Sequence, residues 1–447
     1  MTRGRSTALS SGGSAVRRRM RFPALLLAAA AVVSFLAPAP ASASESIWNM
    51  EGLGRPLYGY DHAARGAGST AIAGDDPFGM SFVNPASIAH AQMLQAHFGL
   101  VTQSRWIQAE GTDGSSRRFD ARLTAGRAVL IGPGPFRWAL GYTDLTDGAY
   151  QVSFPVNAGR EDAYERTLEG RGGIGELSAT VAAALPGKRA AAGLHLGLAN
   201  GTLHDIVQDE FTDATYLDTD SRLRTRVEGG MILGVGAQAS PVPQLALGGY
   251  WRFASEVDLE GIWEVAETAP WSETASFDLP ASVGLGVALR PNPRLRLAAD
   301  WNRTLWGSSD FTLRNLAKGG AGAEAALQEG LGFGLLQDAN RLGLGVTFFP
   351  PEVEGKVAVR RRLVWRAGFS WEELPVRQSA SFARRSRETI HEWMVTAGCG
   401  VPIQVDRGFL DIVLEAGRTG SLDAAGARET FLRLGFGATF GRFEREF

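Results

Sequence analysis

The chain contains one cysteine in 447 residues, Cys399, which excludes an internal disulfide framework and any cysteine-based zinc cluster. Histidine is scarce too. The six (His62, His90, His97, His195, His204 and His391) show no metal-binding spacing such as His-Glu-x-x-His, and no Gly-x-Ser-x-Gly elbow occurs. A hydrolase built from separate strands would need Ser or Asp beside a His, and no recognisable constellation supports one; His195 reads as a lumen residue within a strand. The expectation is a non-enzyme with no metal and no cofactor. No apolar run of the ~18 residues needed for a membrane-crossing helix follows residue 43. A basic excess is also missing, so no nucleic-acid partner is expected.

What is present begins with an export signal. Arg17-Arg18-Arg19-Met20-Arg21 precedes the apolar run Ala24 to Leu36, and Ala41-Ser42-Ala43 supplies an A-x-A cleavage site, so residues 1–43 read as a secretory signal peptide. The arginine run matches a twin-arginine signal poorly, which favours the general route; Met20 is as ordinary a start as Met1. Removing 1–43 takes away six Arg and no acid from 45 basic and 47 acidic residues, leaving a formal charge of −8. The exported chain is large for one soluble core and acceptable for one large barrel.

Its main signal is a period of two. In "LPASVGLGVALRPNPRLRLAADW", Leu279, Ala281, Val283, Leu285, Val287 and Leu289 alternate with small residues; after a Pro-Asn-Pro turn, Leu295, Leu297, Ala299 and Trp301 alternate with Arg296, Ala298 and Asp300. That is an antiparallel hairpin. The same template recurs about fourteen times, at 92–103, 119–130, 136–144, 176–185, 192–203, 226–239, 245–255, 277–289, 295–306, 341–349, 363–374, 392–401, 409–418 and 431–443. Alternate connections are compact and rich in Pro or Gly, as at 132–135, 186–188, 241–243 and 291–293, whereas the others are longer and polar. Short periplasmic turns, long extracellular loops and an even strand count describe an all-β transmembrane antiparallel barrel in the outer membrane of a Gram-negative-type bacterium.

Two solvents compete for the greasy face. A soluble β-protein would bury it; a membrane barrel would turn it to lipid. Export, aromatics at strand ends (Trp106, Trp306, Trp371, Phe440, Phe443) and 56 glycines concentrated on the polar face favour lipid, with the Gly-and-charge face lining a lumen.

Residues 44–91 show no sustained period and are too long for a spare loop. Gly66 and Gly68 followed by Asp75-Asp76-Pro77 do not make a phosphate loop, since no strand leads in and no Lys-Ser/Thr follows. A plug inside a barrel of residues 92–447 accounts for the segment better. "ARGAGSTAIAGDDPFGMSFVNPASIA", with Asn84-Pro85-Ala86, resembles the N-terminal hatch of the FadL family of outer-membrane hydrophobic-compound transporters. "LPASVGLGVALRPNPRLRLAADWNRTLW" looks like that family's mid-barrel hairpin, and "WRAGFSWEELPV" like one of its late strands. The C-terminal "FLRLGFGATFGRFEREF" is also similar to the PorV-type branch that serves secretion, and Phe447, Phe443 or Phe440 would end the last strand for the barrel-assembly machinery.

The resemblance implies fourteen strands, a lumenal hatch, and capture of a hydrophobic small molecule such as a long-chain fatty acid, released through a gap in the wall into outer-membrane lipid. The alternative is a secretion or assembly partner; a porin for polar solutes is disfavoured by the plug. In the longest connection Leu327, Leu331, Phe333, Leu335 and Leu336 are the ligand-binding candidates, in a segment that reads as helical near 321–331 and that serves equally well as a plain loop cap. Inward charges are expected at Arg122, Arg137, Arg252, Arg296, Asp300, Arg341, Arg366, Asp411, Glu415 and Arg433, binding a ligand carboxylate or, for most, pairing with hatch acids. Asp75 and Asp76 either pair with the wall or start a turn.

Overall fold

A computed structural model describes residues 46–49, 53–74, 79–91, 93–109, 116–157, 159–187, 189–213, 215–265, 269–309, 311–313, 336–351, 361–377, 389–403, 408–422 and 427–443. The wall begins with β2 (Met93–Ala109), β3 (Ser116–Ile131), β4 (Phe136–Asp144), β7 (Tyr164–Ala184) and β8 (Ala190–Phe211). It continues through β10 (Met231–Val242), β11 (Leu245–Arg252), β14 (Ser282–Asn292), β15 (Leu295–Thr304) and β17 (Ala339–Phe348). The last four are β18 (Val364–Arg377), β19 (Thr389–Pro402), β20 (Gly408–Ser421) and β21 (Ala427–Phe443). Each pairs antiparallel with the next, and β21 returns to β2 from Met93↔Phe443 to Ala109↔Ala427. The barrel is closed on fourteen strands, so that no wall strand is left without a partner on either side.

Within the wall the alternation sorts side chains by solvent. Leu194, Leu196 and Leu198 on β8, Leu285 and Leu289 on β14, and Leu342 and Leu344 on β17 point outward and are exposed; Arg127, Arg296, Asp300, Arg341 and Glu415 point inward and are buried. Polar inside and apolar outside is the pattern of a barrel solvated by hydrocarbon, and this is an outer-membrane barrel. Leu344→Arg on the lipid face is therefore expected to cost about 2–4 kcal/mol near the bilayer midplane, read as a lowered urea midpoint for folding into vesicles.

Two of the expected strands, 226–239 and 277–289, are each two strands. Short strands continue the wall at its extracellular end: β9 (Thr219–Gly229) runs into β10, β12 (Ser255–Val265) follows β11, β13 (Trp271–Leu279) runs into β14, and β16 (Phe311–Leu313) follows β15. They pair as β8–β9–β12–β13–β16, while β6 (Tyr150–Val156) pairs with β7. The joints fall at Gly229-Gly230, Phe253-Ala254 and Pro280-Ala281, where the ladder skips. A slip there turns the pleat over. Leu279, expected on the same face as Leu285, points inward and is 8% exposed against 57% for Leu285. Val227, Val257, Leu259 and Phe277 are likewise buried inside, while Arg224, Arg226, Glu256 and Asp258 face out. The sheet thus reverses its faces on leaving the membrane, apolar outward below the joints and apolar inward above them.

Trp306, expected at an aromatic girdle, lies in that upper interior at 5% exposure, because a 3₁₀ turn (Trp306–Ser308) follows β15 and tucks it under the sheet.

Candidate functional site

Beside the upper interior the wall turns inward. β4 stops at Asp144, and the chain turns into the lumen over Leu145–Ala149 before resuming as β6. Inside, β5 (Thr146–Asp147) pairs with β1 (Arg55–Pro56) of the N-terminal segment, Arg55 opposite Asp147, and the Leu57 N–H donates to the Leu145 carbonyl at 2.7 Å. The turn stays tied to β7, since the Leu145 N–H donates to Ile174 O at 2.8 Å and the Gly148 N–H to Gly172 O at 2.9 Å. On the other side β3 pairs with β4 only over 125–131. Among the described residues, β3 positions 116–124 pair with β2 alone, so the ladder is open between them and the inward turn.

Behind this opening lies an apolar interior. Leu53, Ile174, Leu203, Val227, Ile232, Val257, Leu259, Phe277 and Trp306 form one buried cluster, against which Leu145 and Leu336 pack part-buried. A second cluster, of Ile47, Trp48, Leu374, Ile390 and Ala427, meets Leu336 and Val152. Leu336 touches both, so an apolar lining runs from the end of the longest loop to the turn at Leu145. Leu336 is the one ligand-binding candidate inside the described residues; Leu327, Leu331, Phe333 and Leu335 lie outside them, as does the helix expected at 321–331.

The N-terminal segment fills the lumen below. It contains a short helix, α1 (His62–Gly66), capped by Asp61, and a 3₁₀ turn (Pro85–His90) capped by Asn84. Glycines on both partners set the approach. Gly68 has φ +67°, and a Cβ there would lie 2.1 Å from the Leu344 carbonyl oxygen; a Cβ on Gly368 would lie 2.1 Å from the Gly68 nitrogen. Gly66 similarly faces Gly398. Asn84 donates to Ile72 O at 2.8 Å and to Ala237 O at 3.1 Å; Gly193 and Gly236 leave the space that Pro85, Ala86 and the Asn84 side chain occupy. Asp75 and Asp76 lie outside the described residues.

Among the described residues the ion pairs between this segment and the wall join arginines on the segment to acids on the wall. Arg55 donates both guanidinium Nη groups to Glu392, at 2.7 and 2.6 Å, and Arg65 donates to both oxygens of Glu415 at 2.8 Å. Higher up, the Ser46 hydroxyl and the Ile47 N–H both donate to Glu429 at 2.8 Å, and Glu429 also accepts from Arg105 at 2.7 Å. Asp300 accepts from the Ala71 and Ile72 N–H groups at 2.6 and 2.9 Å. Arg341 lies over the rings of Tyr58 and Tyr60, at 5.2 and 4.7 Å. Burial holds both phenols well above their ordinary range, so they face Arg341 neutral. Burial, reinforced by Arg65, likewise holds the His62 imidazole well below its usual range.

The remaining inward charges divide between wall pairs and the rim. Arg366 pairs with Asp411 at 2.6 Å, Arg252 with Glu176 at 3.3 Å, and Arg433 with Glu392 and Glu415 at 3.6 Å each. Arg137 sits at the periplasmic rim, its Nε donating to Ala91 O at 2.8 Å, and Arg296 lines a cavity of about 40 Å³ on that side of the segment. The Arg122 side chain lies outside the described residues. Between the segment and the wall is a second cavity of about 100 Å³, bordered by Arg55, Arg105, Arg127, Arg433, Glu392 and Glu415. An apolar molecule moving straight down the axis would have to pass these charges, at a desolvation cost that the sideways path avoids.

No protein-family model matches this sequence, and a search among curated proteins finds no match. Solved structures share the fold. The toluene transporter TodX of Pseudomonas putida aligns at a TM-score of 0.55 and 12% identity, covering 87% of this chain and 99% of its own. The CymD monoaromatic hydrocarbon channel gives 0.53 and 13%, over 87% and 99%. The toluene transporter TbuX of Ralstonia pickettii gives 0.52 and 13%, over 89% and 100%. At this identity the likeness shows the architecture, which is the one expected from the FadL resemblance. The secretion-partner reading draws no support from these structures.

Proposed function

We propose that this protein takes up hydrophobic compounds across the outer membrane. They enter the apolar interior above residues 44–91, which act as a hatch closing the lumen of the 92–447 barrel, and leave sideways at the lower end of the opening, beside Leu145, which the register through β7 sets just above the level of Leu198 at the top of the apolar belt. The observation that carries this reading is the juxtaposition of an interrupted wall ladder with an apolar lining that runs from Leu336 to Leu145. An amphiphile is held back by the polar outer leaflet, whereas an apolar chamber desolvates it and a wall opening returns it to hydrocarbon. The solved neighbours, named as toluene transporters and a monoaromatic hydrocarbon channel, support the substrate class. Long-chain fatty acids and compact aromatics are the two members to compare.

Native mass spectrometry with lipid extraction on the detergent-purified mature protein tests this. The expected result is a bound hydrophobe, with occupancy reduced roughly tenfold in Leu145→Asp/Leu336→Asp, whose carboxylates would have to be desolvated in the chamber. A barrel that is empty of hydrophobe yet retains a protein partner would overturn the reading in favour of a secretion role.

A further inference from the structure

Above the joints the outward face of the sheet carries a row of basic residues across three adjacent strands, with Glu169, Glu228 and Glu260 on the rows around it. Arg171 on β7 lies directly opposite His204 on β8, and His204 directly opposite Arg224 on β9. On neighbouring outward rows Thr202 faces Arg226 and Ile206 faces Arg222. All five basic residues are exposed. Arg171 is tied to Glu169, and Arg222 to Asp220 at 2.6 Å; on β12, Glu264 stands opposite Arg222 and Glu260 opposite Arg226. Arg224 instead faces Ile262 on β12, and among the described residues it has no ion-pair partner.

The height of the row is as informative as its charge. Along the outward face of β8 the exposed apolar series Leu194, Leu196, Leu198 gives way to Asn200, Thr202 and His204, and beside it Met231 and Leu233 on β10 give way to Arg226 and Arg224 on β9. At roughly 3.3 Å per residue the row stands about 20 Å along the strand above Leu198, past the apolar belt and within the headgroup layer of the surrounding leaflet.

We propose that the Arg171–His204–Arg224 row, with Arg226 below it, is a docking site for the phosphate-bearing headgroup of the outer-leaflet glycolipid. Guanidinium groups pair bidentately with phosphate, and Arg224, which faces Ile262 and not a carboxylate, is placed to do so. The apolar belt directly beneath seats the acyl chains of the same molecule. This continuity favours a lipid over a free anion.

The test uses the full mature protein in detergent, titrated with purified rough-type lipopolysaccharide and with the same lipid after enzymatic removal of its phosphates. Wild-type protein should bind the phosphorylated form more tightly, and the preference should fall with added salt. Arg224→Gln/Arg226→Gln should weaken binding by roughly fivefold per charge removed at low ionic strength, with heat-modifiable gel mobility reporting an intact barrel, and Arg224→Lys should retain most of the affinity. Equal binding of both lipids by the wild type would overturn the proposal, as would undiminished binding by the folded double variant. Displacement of the lipid by millimolar inorganic phosphate would overturn it as well, since the site would then be a free-anion site.

Discussion

Straightening the inward turn should reduce hydrophobe uptake to the rate of cells that lack the protein. Replacing Thr146-Asp147-Gly148 with Val-Thr-Val supplies β-formers where the present sequence has turn-formers, so β4 can run on into β6 and pair with β3 positions 116–124. The variant closes the ladder without replacing a residue of the apolar clusters, and it releases from the N-terminal segment the two-residue β1–β5 pairing together with the hydrogen bonds from Leu57 N–H to Leu145 O and from Ser46 N–H to Ala149 O. Heat-modifiable mobility and the yield of folded protein should stay at wild-type levels, because the fourteen-strand closure does not depend on the turn. Uptake of labelled toluene and of a labelled long-chain fatty acid, each measured in the same cells, checks the effect. Retention of uptake by a folded variant would place the exit elsewhere.

The second large effect is expected at Glu392. Its carboxylate takes both Nη groups of Arg55, accepts from the Thr419 hydroxyl at 2.5 Å and faces Arg433 at 3.6 Å, and it is buried. Glu392→Ala leaves Arg55 with only Glu372, at 3.8 Å, so a buried cation loses its main partner at a cost of about 3–5 kcal/mol. Arg55→Ala is the milder change, because Arg433 remains to face Glu392. Since the tie joins the N-terminal segment to the wall, the loss should appear first as steady ion conductance in planar bilayers, with a lowered temperature of heat modification. Silent bilayers with Glu392→Ala, or a larger effect from Arg55→Ala, would show that this pair does not hold the segment.

The fourteen wall strands were legible because lipid outside and water inside impose a strict period of two on each of them. The joints were not. Val227, Met231, Leu233 and Val235 share one parity, so the alternation reads straight through Gly229-Gly230 even though Val227 points inward and the others outward. The adjacent glycines and Pro280 were the available signals, and they mark the places where the ladder skips. The inward turn likewise has a local signature, Thr146-Asp147-Gly148, that an ordinary loop would share; what distinguishes it is its pairing with Arg55–Pro56, some ninety positions away. Arg55 and Glu392 are separated by 337 positions, and no periodicity connects them. The Asn84-Pro85-Ala86 motif announced a compact turn, and the glycines it packs against, Gly193 and Gly236, become meaningful only once β8 and β10 are neighbours.

Photo-cross-linking gives the most direct test of the sideways route. The mature protein in lipid vesicles is loaded with a diazirine-bearing hydrophobe, irradiated, and mapped by peptide mass spectrometry. The expected adducts fall on the chamber and the opening, at Leu336, Leu203 and Leu145, and decline when unlabelled toluene or fatty acid competes. Adducts confined to the axial cavity between Arg55 and Glu415, or to the periplasmic cavity beside Arg296 and Arg366, would contradict the account and assign passage to the barrel axis.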